Sequence, residues 1–504
     1  MKSTVLCLAA TTMILSVGAI EYYVDSIAGN DAAEGTSPQT AWRSLANVNT
    51  AELRPGDVVR FKRGGLWRGS LLPRSGEPGN PVTYTSYGTG VKPILQQSVE
   101  RSRPEDWFEM EPGLWSTRVS TSKPQKAKGT SGAEADDGTA IPADVGIFIC
   151  DHGARWGVKK WRNPNWEVPK IPKWETSVRM ENELDYWYDP DKRRVVVKFP
   201  RNPGEAFKSI ELALTQHIVN EGNRHDVVYD GLWVRYGAAH GFGGGSTRNI
   251  TIRNCDICWI GGGLQFWRRH EKTGKILYPV RYGNGIEFWG NCSGNLVERN
   301  RLWEIYDAAL TNQGRYDDET DVTWRDNVIW NSEYSYEYWN RQLTRNIRFE
   351  HNTCVDAGFG WAHTQRPERN GAHLMYYSNR AATTNFVVRN NIFCRATEWT
   401  CRNSLDWRYG LLHSRNLVWN DANVPTMRWK DGKDLRLYQW ADYVKELQMD
   451  LDSVFAEPQF ADPAKRDYRL KPGSVGWTLA SDGGPVGARN MPGLDEDQSL
   501  PPKK

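Results

Sequence analysis

The stretch DVTWRDNVIW, Asp321 to Trp330, contains a phrase that recurs through the middle of the chain: a few β-forming residues ending in Asn, then an apolar pair. Between residues 208 and 420 it returns as NITIRNCDI, NLVERNRLW, NIRFEHNTCV and NFVVRNNIF. The anchoring residues are Asn254, Asn300, Asn327, Asn352 and Asn391, at spacings of 46, 27, 25 and 39. Repeats of this size are typical of a solenoid, in which each coil stacks on the previous one.

Short strand-like runs fill the space between these anchors, among them DAALTNQ, YSYEYWN and HLMYYSN. Glycine, Asp and Asn interrupt them, and no helical period is sustained. In a stack of parallel coils, an Asn at the same corner of each coil can hydrogen-bond along the stack and satisfy the backbone groups of the turns. The sequence therefore predicts parallel coils joined by an asparagine ladder.

Both ends of the chain carry a resemblance to a known family. YYVD, GND and PQTAWRSL in residues 22–45, then PGDVVRFKRGGLWRG in 55–69 and FADPAKRDYRLKPGS in 460–474, resemble secreted right-handed parallel β-helix carbohydrate-active enzymes, the pectin-lyase-like superfamily. With the Asn coils, the resemblance covers about 20–100 and 208–480. It implies an all-β, right-handed, single-stranded parallel β-helix, nearest to glycoside hydrolases such as xylosidases and fucosidases. Because this fold hosts several chemistries, activity must be argued from the site.

The chain is predicted to divide into five parts. Residues 1–19 have a basic start, an apolar run and small residues before Ala19, as in a signal peptide, so a secreted or periplasmic protein cleaved near Ala19 is expected. Residues 20–100 form the cap and first coils, 101–207 a β-rich insertion and 208–420 the central coils. Residues 421–504 form the closing segment.

Two elements outside the coils are predicted from local pattern. LDYWYDPDKRRVVVKF, 184–199, is typical of a β-hairpin with an Asp-Pro-Asp turn. Residues 432–448 are predicted as a short amphipathic helix whose apolar side is formed by Leu435, Leu437, Trp440 and Val444.

Composition narrows the class of function. With 64 basic and 61 acidic residues and a net charge of +3, the chain has no basic excess of the kind that nucleic-acid binding requires. No segment after the signal is predicted to enter a membrane, and a monomer is expected. The 24 tryptophans suit a protein that binds sugars, whose C–H faces stack on aromatic rings. The seven cysteines after the signal are expected to be buried thiols.

The acids of the central coils point to a catalytic site. Counting from the Asn anchors, Asp307 falls on the predicted solvent face, whereas Glu337 falls on the inner face. Either a β-bulge shifts the strand of Glu337, or Glu337 is buried and salt-bridged to Arg341. A glycosidase needs two carboxyl groups, and carboxylates on adjacent coils about 5 Å apart suit the retaining mechanism. Asp307 and Glu337 are the predicted pair, with Glu333 in reserve.

Other residues on or near this face are candidates for substrate binding. Trp267 and Trp361 are predicted stacking platforms, and Tyr334 and Tyr336 are expected on the same outer face. The remaining candidates are Gln265, Gln313, Tyr338, His363, Arg341 and a third acid, Glu287. No metal site is predicted; a calcium loop in Asp317–Asp321 is the alternative interpretation.

Three functions compete. A glycoside hydrolase acting on a poly- or oligosaccharide explains the acids best. A polysaccharide lyase would use His363, tyrosine or arginine for β-elimination beside a uronic carboxylate. No Lys lies on the predicted groove strands, which counts against that alternative. A non-catalytic glycan-binding solenoid would need no pair of acids in a cleft.

Overall fold

The computed structural model describes residues 18–119, 143–161, 179–366, 370–379, 383–403, 410–421, 423–431 and 434–494. The central coils repeat one path. The chain runs through Glu319–Arg325, then Val328–Trp330, then Tyr334–Asn340, and returns to the first sheet at Thr344–Glu350. Each strand pairs in parallel with its counterpart on the next coil. The protein is therefore an all-β parallel β-helix, as predicted.

Three long sheets form the solenoid. The strands of the first sheet are Glu21–Val24, Val58–Lys62, Val82–Tyr87, His225–Asp230, Arg248–Arg253, Cys292–Ser293, Leu296–Glu298, Glu319–Arg325, Thr344–Glu350, Thr383–Arg389 and Leu411–Ser414. Those of the second are Leu66–Arg68, Ile94–Gln96, Trp233–Gly237, Asp256–Ile260, Arg301–Ile305, Val328–Trp330, Thr353–Ala357, Ile392–Ala396, Leu417–Trp419 and Val454–Phe455. Those of the third are Val219–Asn220, Phe242–Gly245, Ile286–Trp289, Ala308–Gln313, Tyr334–Asn340, Ala372–Asn379, Trp399–Asn403, Met427–Asp431 and Asp434–Tyr438.

Two smaller, mostly antiparallel sheets interrupt the solenoid after its first coils. One is made of Ser98–Glu100, Val145–Cys150, Arg155–Trp156 and Ile210–Leu214. The other is made of Phe108–Glu111, Leu114–Arg118, Val158–Lys159, Asp185–Asp189 and Arg194–Lys198. The last two strands are antiparallel partners, which confirms the predicted hairpin.

Two ribbons and several short helices complete the described part of the chain. The ribbons pair Gly263–Arg269 with Ile276–Tyr282 and Phe460–Asp462 with Asp467–Leu470. The α-helices are Leu45–Thr50, Pro203–Ala206 and Trp440–Leu447, and the 3₁₀ turns are Pro38–Thr40, Pro104–Asp106, Asp151–Gly153 and Pro463–Lys465. Within the described residues, no helix is long and apolar enough to cross a bilayer.

The predicted helix over 432–448 is partly wrong. Residues Asp434–Tyr438 form a strand antiparallel to Met427–Asp431, and the helix begins only at Trp440. Leu435 and Leu437 alternate along that strand and are exposed, because a period of two places both on one face of the strand. Trp440 and Val444 pack against the main core, as predicted.

The interior of the solenoid is filled by aromatic and aliphatic side chains from all three sheets. In the coils around residue 330, the Tyr336 ring lies 4.9 Å from Phe349 and 6.0 Å from Trp324. These rings are fully buried, and burying such surface contributes about 25 cal/mol per Å². All seven described cysteines are buried free thiols, as predicted.

An asparagine ladder runs along the turn between the first and second sheets. The side-chain oxygen of Asn327 accepts from the backbone N–H and Nδ2 of Asn300, each at 3.0 Å, and Asn352 does the same for Asn327. Asn391 and then Asn416 continue it. All five are buried, so the ladder satisfies polar groups that water cannot reach.

The predicted anchors differ from this ladder at one end. Asn254 is not a member, because its coil is displaced by one residue: Cys255 occupies the register position and donates its N–H to Asn300. The Asn254 side chain instead donates to Asp230. Asn416, which lies outside the predicted set of anchors, closes the ladder at the other end.

Asn327→Ala is expected to lower the midpoint of urea unfolding. The substitution leaves the buried N–H of Asn300 without its acceptor, at a cost of about 1–3 kcal/mol. Asn490→Ala is the matched control, because Asn490 is exposed on the closing segment. Equal midpoints for the two variants would show that the ladder adds no net stability.

Candidate active site

The outer face of the third sheet carries a row of polar side chains. Parallel register places Glu287 opposite Thr311, and Thr311 opposite Glu337. Neighbouring residues on the same strands, such as Leu310 and Tyr336, point into the main core, so the row points outward. Two strand spacings of about 4.8 Å separate the backbones that carry the two glutamates.

Glu337 is expected on the inner face, but the structure places it on the outer face because one turn is shorter by a residue. Arg301 pairs with Val328, and Ala308 pairs with Tyr334. From Arg301 to Ala308 the chain advances seven residues, whereas from Val328 to Tyr334, on the next coil, it advances only six. The count from the Asn anchors assumes equal turns. The shorter turn sets Asp307 beside Glu333, and it sets Glu337 outward without a bulge.

The same shift corrects the predicted outer face. Tyr336 and Tyr338 lie in the main core with no exposed surface. Tyr338 therefore cannot bind substrate as predicted, because its ring is enclosed by the coil. Tyr334 is equally buried but lies in a separate cluster outside the main core.

Asp307 lies at the mouth of this face and is held by an arginine. Its side chain is 21% exposed, and its Oδ1 lies 3.0 Å from a guanidinium nitrogen of Arg366. Arg366 also donates to the Tyr306 carbonyl at 2.8 Å and to the Tyr334 hydroxyl at 3.2 Å. The guanidinium thus favours an ionised Asp307 and fixes its position.

Glu333, the predicted reserve carboxylate, follows Asp307 on the next coil and has no exposed side-chain surface. It accepts from the backbone N–H of Asn370 at 2.9 Å and lies 3.1 Å from His363 Nδ1. Arg366 Nε is 3.8 Å away. Glu333 therefore tethers the connection that carries His363 and Arg366.

Glu337 is nearly buried beside two other acids. Burial, followed by the charges of Asp307 and Glu287, holds the pKa of the Glu337 carboxyl well above its ordinary value, against an opposing effect of Arg366. Its Oε2 lies 3.3 Å from Gln313 Nε2, and the Gln313 oxygen accepts from Trp339 Nε1 at 2.6 Å. The surroundings of Glu337 consequently favour the protonated carboxyl, and Gln313 fixes its orientation.

Glu287 is the deepest of the three acids. Burial, and then the charge of Asp307, raises its pKa to about 8, although a hydrogen bond from Asn284 Nδ2 at 2.6 Å opposes the shift. Behind it, His240 Nε2 lies 3.2 Å from Oε1, and His240 Nδ1 accepts from the Asn284 N–H. No local pattern around His240 points to this role, because only the fold brings it to Glu287.

Trp361 lies in the connection that follows the second-sheet strand Thr353–Ala357. This connection, residues 359–366, lies between that strand and the third-sheet strand Ala372–Asn379. Trp361 in this connection is buried and stacked on Trp259 at 6.1 Å. The prediction of Trp361 as a stacking platform for sugar is therefore wrong.

Two further predicted binding residues lie close to the acids. Gln313 is buried and orients Glu337 through its amide. His363 is 15% exposed and is held by Glu333. Both therefore lie next to the carboxyls, Gln313 within the sheet and His363 on the connection.

Residues further from the acids lie on the surface. Gln265 and Trp267 are half-buried on the ribbon Gly263–Tyr282, and the Trp267 ring meets Trp161 edge-on at 5.8 Å. Arg341 is exposed beyond the end of its strand. In the described contacts Glu337 bonds to Gln313 instead of to Arg341.

The described residues contain no group of three or more His, Cys, Asp or Glu side chains placed to hold a metal ion. In the run considered for calcium, Glu319 is buried and accepts from Asn312 at 2.7 Å, whereas Asp317, Asp318 and Asp321 are exposed. The positive φ of Asp321, 57°, interrupts the alternation of side chains along the strand Glu319–Arg325, so Glu319 is buried whereas Asp321, two residues on, is exposed.

No protein-family model matches the chain. A lacto-N-biosidase of Bifidobacterium longum subsp. longum is 39% identical over 81 residues, which are 15% of this chain and only 5% of that protein. Among solved structures, the complex of XylC with xylose aligns over 83% of this chain and 73% of that chain, with a TM-score of 0.46 and 10% identity. A rhamnogalacturonan lyase aligns over 96% and 100%, with a TM-score of 0.43 and 10% identity. The structural neighbours are pectin-lyase-like parallel β-helix proteins, and they include both glycoside hydrolases and lyases.

Glu287→Gln is expected to flatten the dependence of stability on pH. The folded protein holds this proton up to about pH 8, whereas the ordinary pKa of a Glu carboxyl is 4.5. Unfolding therefore releases a proton between those values, and stability falls with rising pH by up to about 1.4 kcal/mol per pH unit. The free energy of unfolding at pH 5 and pH 8 checks this.

Glu271→Gln, on the exposed end of the ribbon, is the matched control and should leave the pH dependence unchanged. If Glu287→Gln loses as much stability between pH 5 and pH 8 as the wild type, Glu287 is not neutral in the folded protein.

Proposed function

We propose that the protein is an exported glycoside hydrolase that cleaves a glycosidic bond at the outer face of the third sheet. The observation that carries the proposal is the contrast between two neighbouring carboxyls. Glu337 is buried, with a raised pKa; Asp307 is partly open to solvent and ion-paired with Arg366. Two acids whose surroundings favour opposite protonation states are what glycoside hydrolysis requires.

In this mechanism Glu337 is the general acid. Its carboxyl gives a proton to the leaving glycosidic oxygen, and Gln313 holds the group in place through Oε2. Burial favours the protonated carboxyl until the substrate accepts the proton. The charge of Asp307 adds to this, because it disfavours a second negative charge on Glu337.

Asp307 supplies the negative charge. Held by Arg366, it attacks the anomeric carbon and forms a glycosyl–enzyme intermediate, and the ionised Glu337 then removes a proton from the water that releases it. Asp307 and Glu337 lie on adjacent coils, with Glu337 opposite Thr311, four residues further along the strand than Asp307. Retention of configuration is the outcome that a nucleophilic Asp307 implies, and it forms part of the proposal.

Asp307→Asn and Glu337→Gln are each expected to lower kcat on the cleaved glycan by on the order of 10²-fold or more, since each removes a group that takes part in bond cleavage. Digestion of a panel of glycans should show new reducing ends with the wild type and few with either variant. Asp321→Asn is the control: this exposed acid accepts from Asn346 away from the site, and full activity is expected.

The same samples separate hydrolysis from elimination. A lyase would produce the ultraviolet absorbance of unsaturated uronates, and in that case His363 and the arginines replace the two acids as the reactive groups. New reducing ends without that absorbance support the hydrolase.

The pH profile gives a second check on Glu337. Because the acid must hold its proton, kcat is expected to fall as pH rises through the raised pKa of Glu337. On a substrate with an activated leaving group, Glu337→Gln should retain measurable turnover and lose this alkaline fall. An unchanged alkaline limb in the variant would assign the acid to another residue.

The stereochemical outcome is measurable separately. Proton NMR of the first product should show the anomer with the configuration of the substrate, because two displacements at the anomeric carbon restore it. The opposite anomer would make Asp307 a base that activates water, and would leave the hydrolase assignment in place.

A further inference from the structure

The row of outward side chains on the third sheet continues beyond the acids. Glu337 is opposite Met375, Met375 is opposite Arg402, and Arg402 is opposite Arg428. Cys401, next to Arg402, and Met427, next to Arg428, point into the main core. The two arginines therefore face outward on the same side of the sheet as Glu337, with the first about 10 Å along the solenoid axis, two strand spacings away.

These two arginines are neighbours of like charge. Directly opposed like charges on adjacent strands are destabilising, and burial together with the charge of Arg402 lowers the pKa of Arg428. No carboxylate in the described residues forms an ion pair with either guanidinium. The Nε of Arg402 is buried and has no hydrogen-bond partner within the described chain.

Three arginines on the first sheet are treated differently. An ion pair joins each of these three to an acid on the adjacent coil: Arg253 with Asp230, Arg325 with Glu298 and Arg389 with Glu350. The solenoid therefore neutralises these arginines by placing an acid on the next coil. On the third sheet, by contrast, Arg402 lies opposite another arginine, Arg428, instead of opposite an acid.

An aromatic ring completes the arrangement. The half-buried Trp399 faces both guanidiniums, with its ring centroid 5.8 Å from the guanidinium carbon of Arg402 and 5.2 Å from that of Arg428. A ring in this position holds the two planar groups in place. An anion between them would gain charge-assisted hydrogen bonds and remove their repulsion.

We infer that Arg402, Arg428 and Trp399 form a subsite for an anionic group of the substrate, a carboxylate or a sulfate on a sugar. The glycan is an acidic polysaccharide that runs along the solenoid axis, with its charged unit at the arginines while another unit meets Glu337. This assignment names the substrate class of the proposed active site and rests on that proposed function.

The other end of the same face is also basic. The ribbon Gly263–Tyr282 ends directly before Gly283, whose carbonyl accepts from the Asp307 N–H. One acidic residue of the ribbon, Glu271, is outnumbered by five basic ones, which are Arg268, Arg269, Lys272, Lys275 and Arg281. Positive charge at both ends of the face would draw a polyanionic chain across the acids.

The test measures binding, so that it does not depend on turnover. In an Asp307→Asn background, dissociation constants are measured for oligogalacturonate and its methyl ester, and for dextran sulfate and dextran. The first comparison isolates a carboxylate and the second a sulfate. The acidic member of at least one comparison should bind about tenfold or more tightly than its neutral partner.

Arg402→Gln and Arg428→Gln should each weaken binding of that acidic glycan by about tenfold and leave the neutral one unchanged. Arg345→Gln is the matched control, since Arg345 is exposed on the first sheet and its loss changes net charge equally. Circular dichroism melting curves establish that the variants are folded.

Equal binding of the acidic and neutral members in both comparisons would overturn the inference. So would an equal loss of affinity in Arg345→Gln, or binding of single-stranded DNA of matched charge as tightly as the glycan. If the arginine variants lose acidic binding but no glycan is hydrolysed by the wild type, the subsite stands and the proposed hydrolase fails. If the wild type hydrolyses neutral glycans and shows no preference for acidic ones, the hydrolase stands and the subsite fails.

Discussion

The buried asparagine ladder is the constraint on which the rest of the structure depends. From Asn327 onward each side-chain oxygen accepts two hydrogen bonds from the preceding coil, and Nδ2 returns a bond to a strand carbonyl, as Asn327 does to Val297. These bonds fix the coils against one another at one corner. With that corner fixed, the parallel ladders carry the register to the third sheet, where Glu287, Thr311 and Glu337 align.

The chemistry of the site follows from burying acids beside one fixed cation. Glu287 and Glu337 lie where water does not stabilise their charges, so the pKa of each carboxyl is raised and the protonated form is favoured. Arg366 reaches Asp307 and is itself supported by Tyr306 and Tyr334. Glu333 holds the connection that presents Arg366, so a fully buried carboxylate contributes to the site through position alone.

The repeated Asn phrase is sufficient to predict the parallel coils, because stacking demands the same residue type at the same corner. Asp307 and Glu337 can be singled out because acids interrupt otherwise apolar or aromatic strands. Trp361 and Tyr338 cannot be placed in this way, since the length of a turn decides which face a residue takes and the phrase does not specify the turns. The contacts of Arg366 and His240 depend on residues distant in sequence, which no local pattern reveals.

The one-residue difference between the turns that precede Ala308 and Tyr334 has a consequence for how such a protein can change. A deletion in a turn leaves the ladder, the strand pairing and the core side chains in place, while it moves the residues at the mouth of the groove by one position on that coil alone. Substrate preference can thus evolve coil by coil through insertions and deletions. The β-helix would keep its fold through such insertions and deletions, whereas the same changes inside a globular core would disrupt its packing.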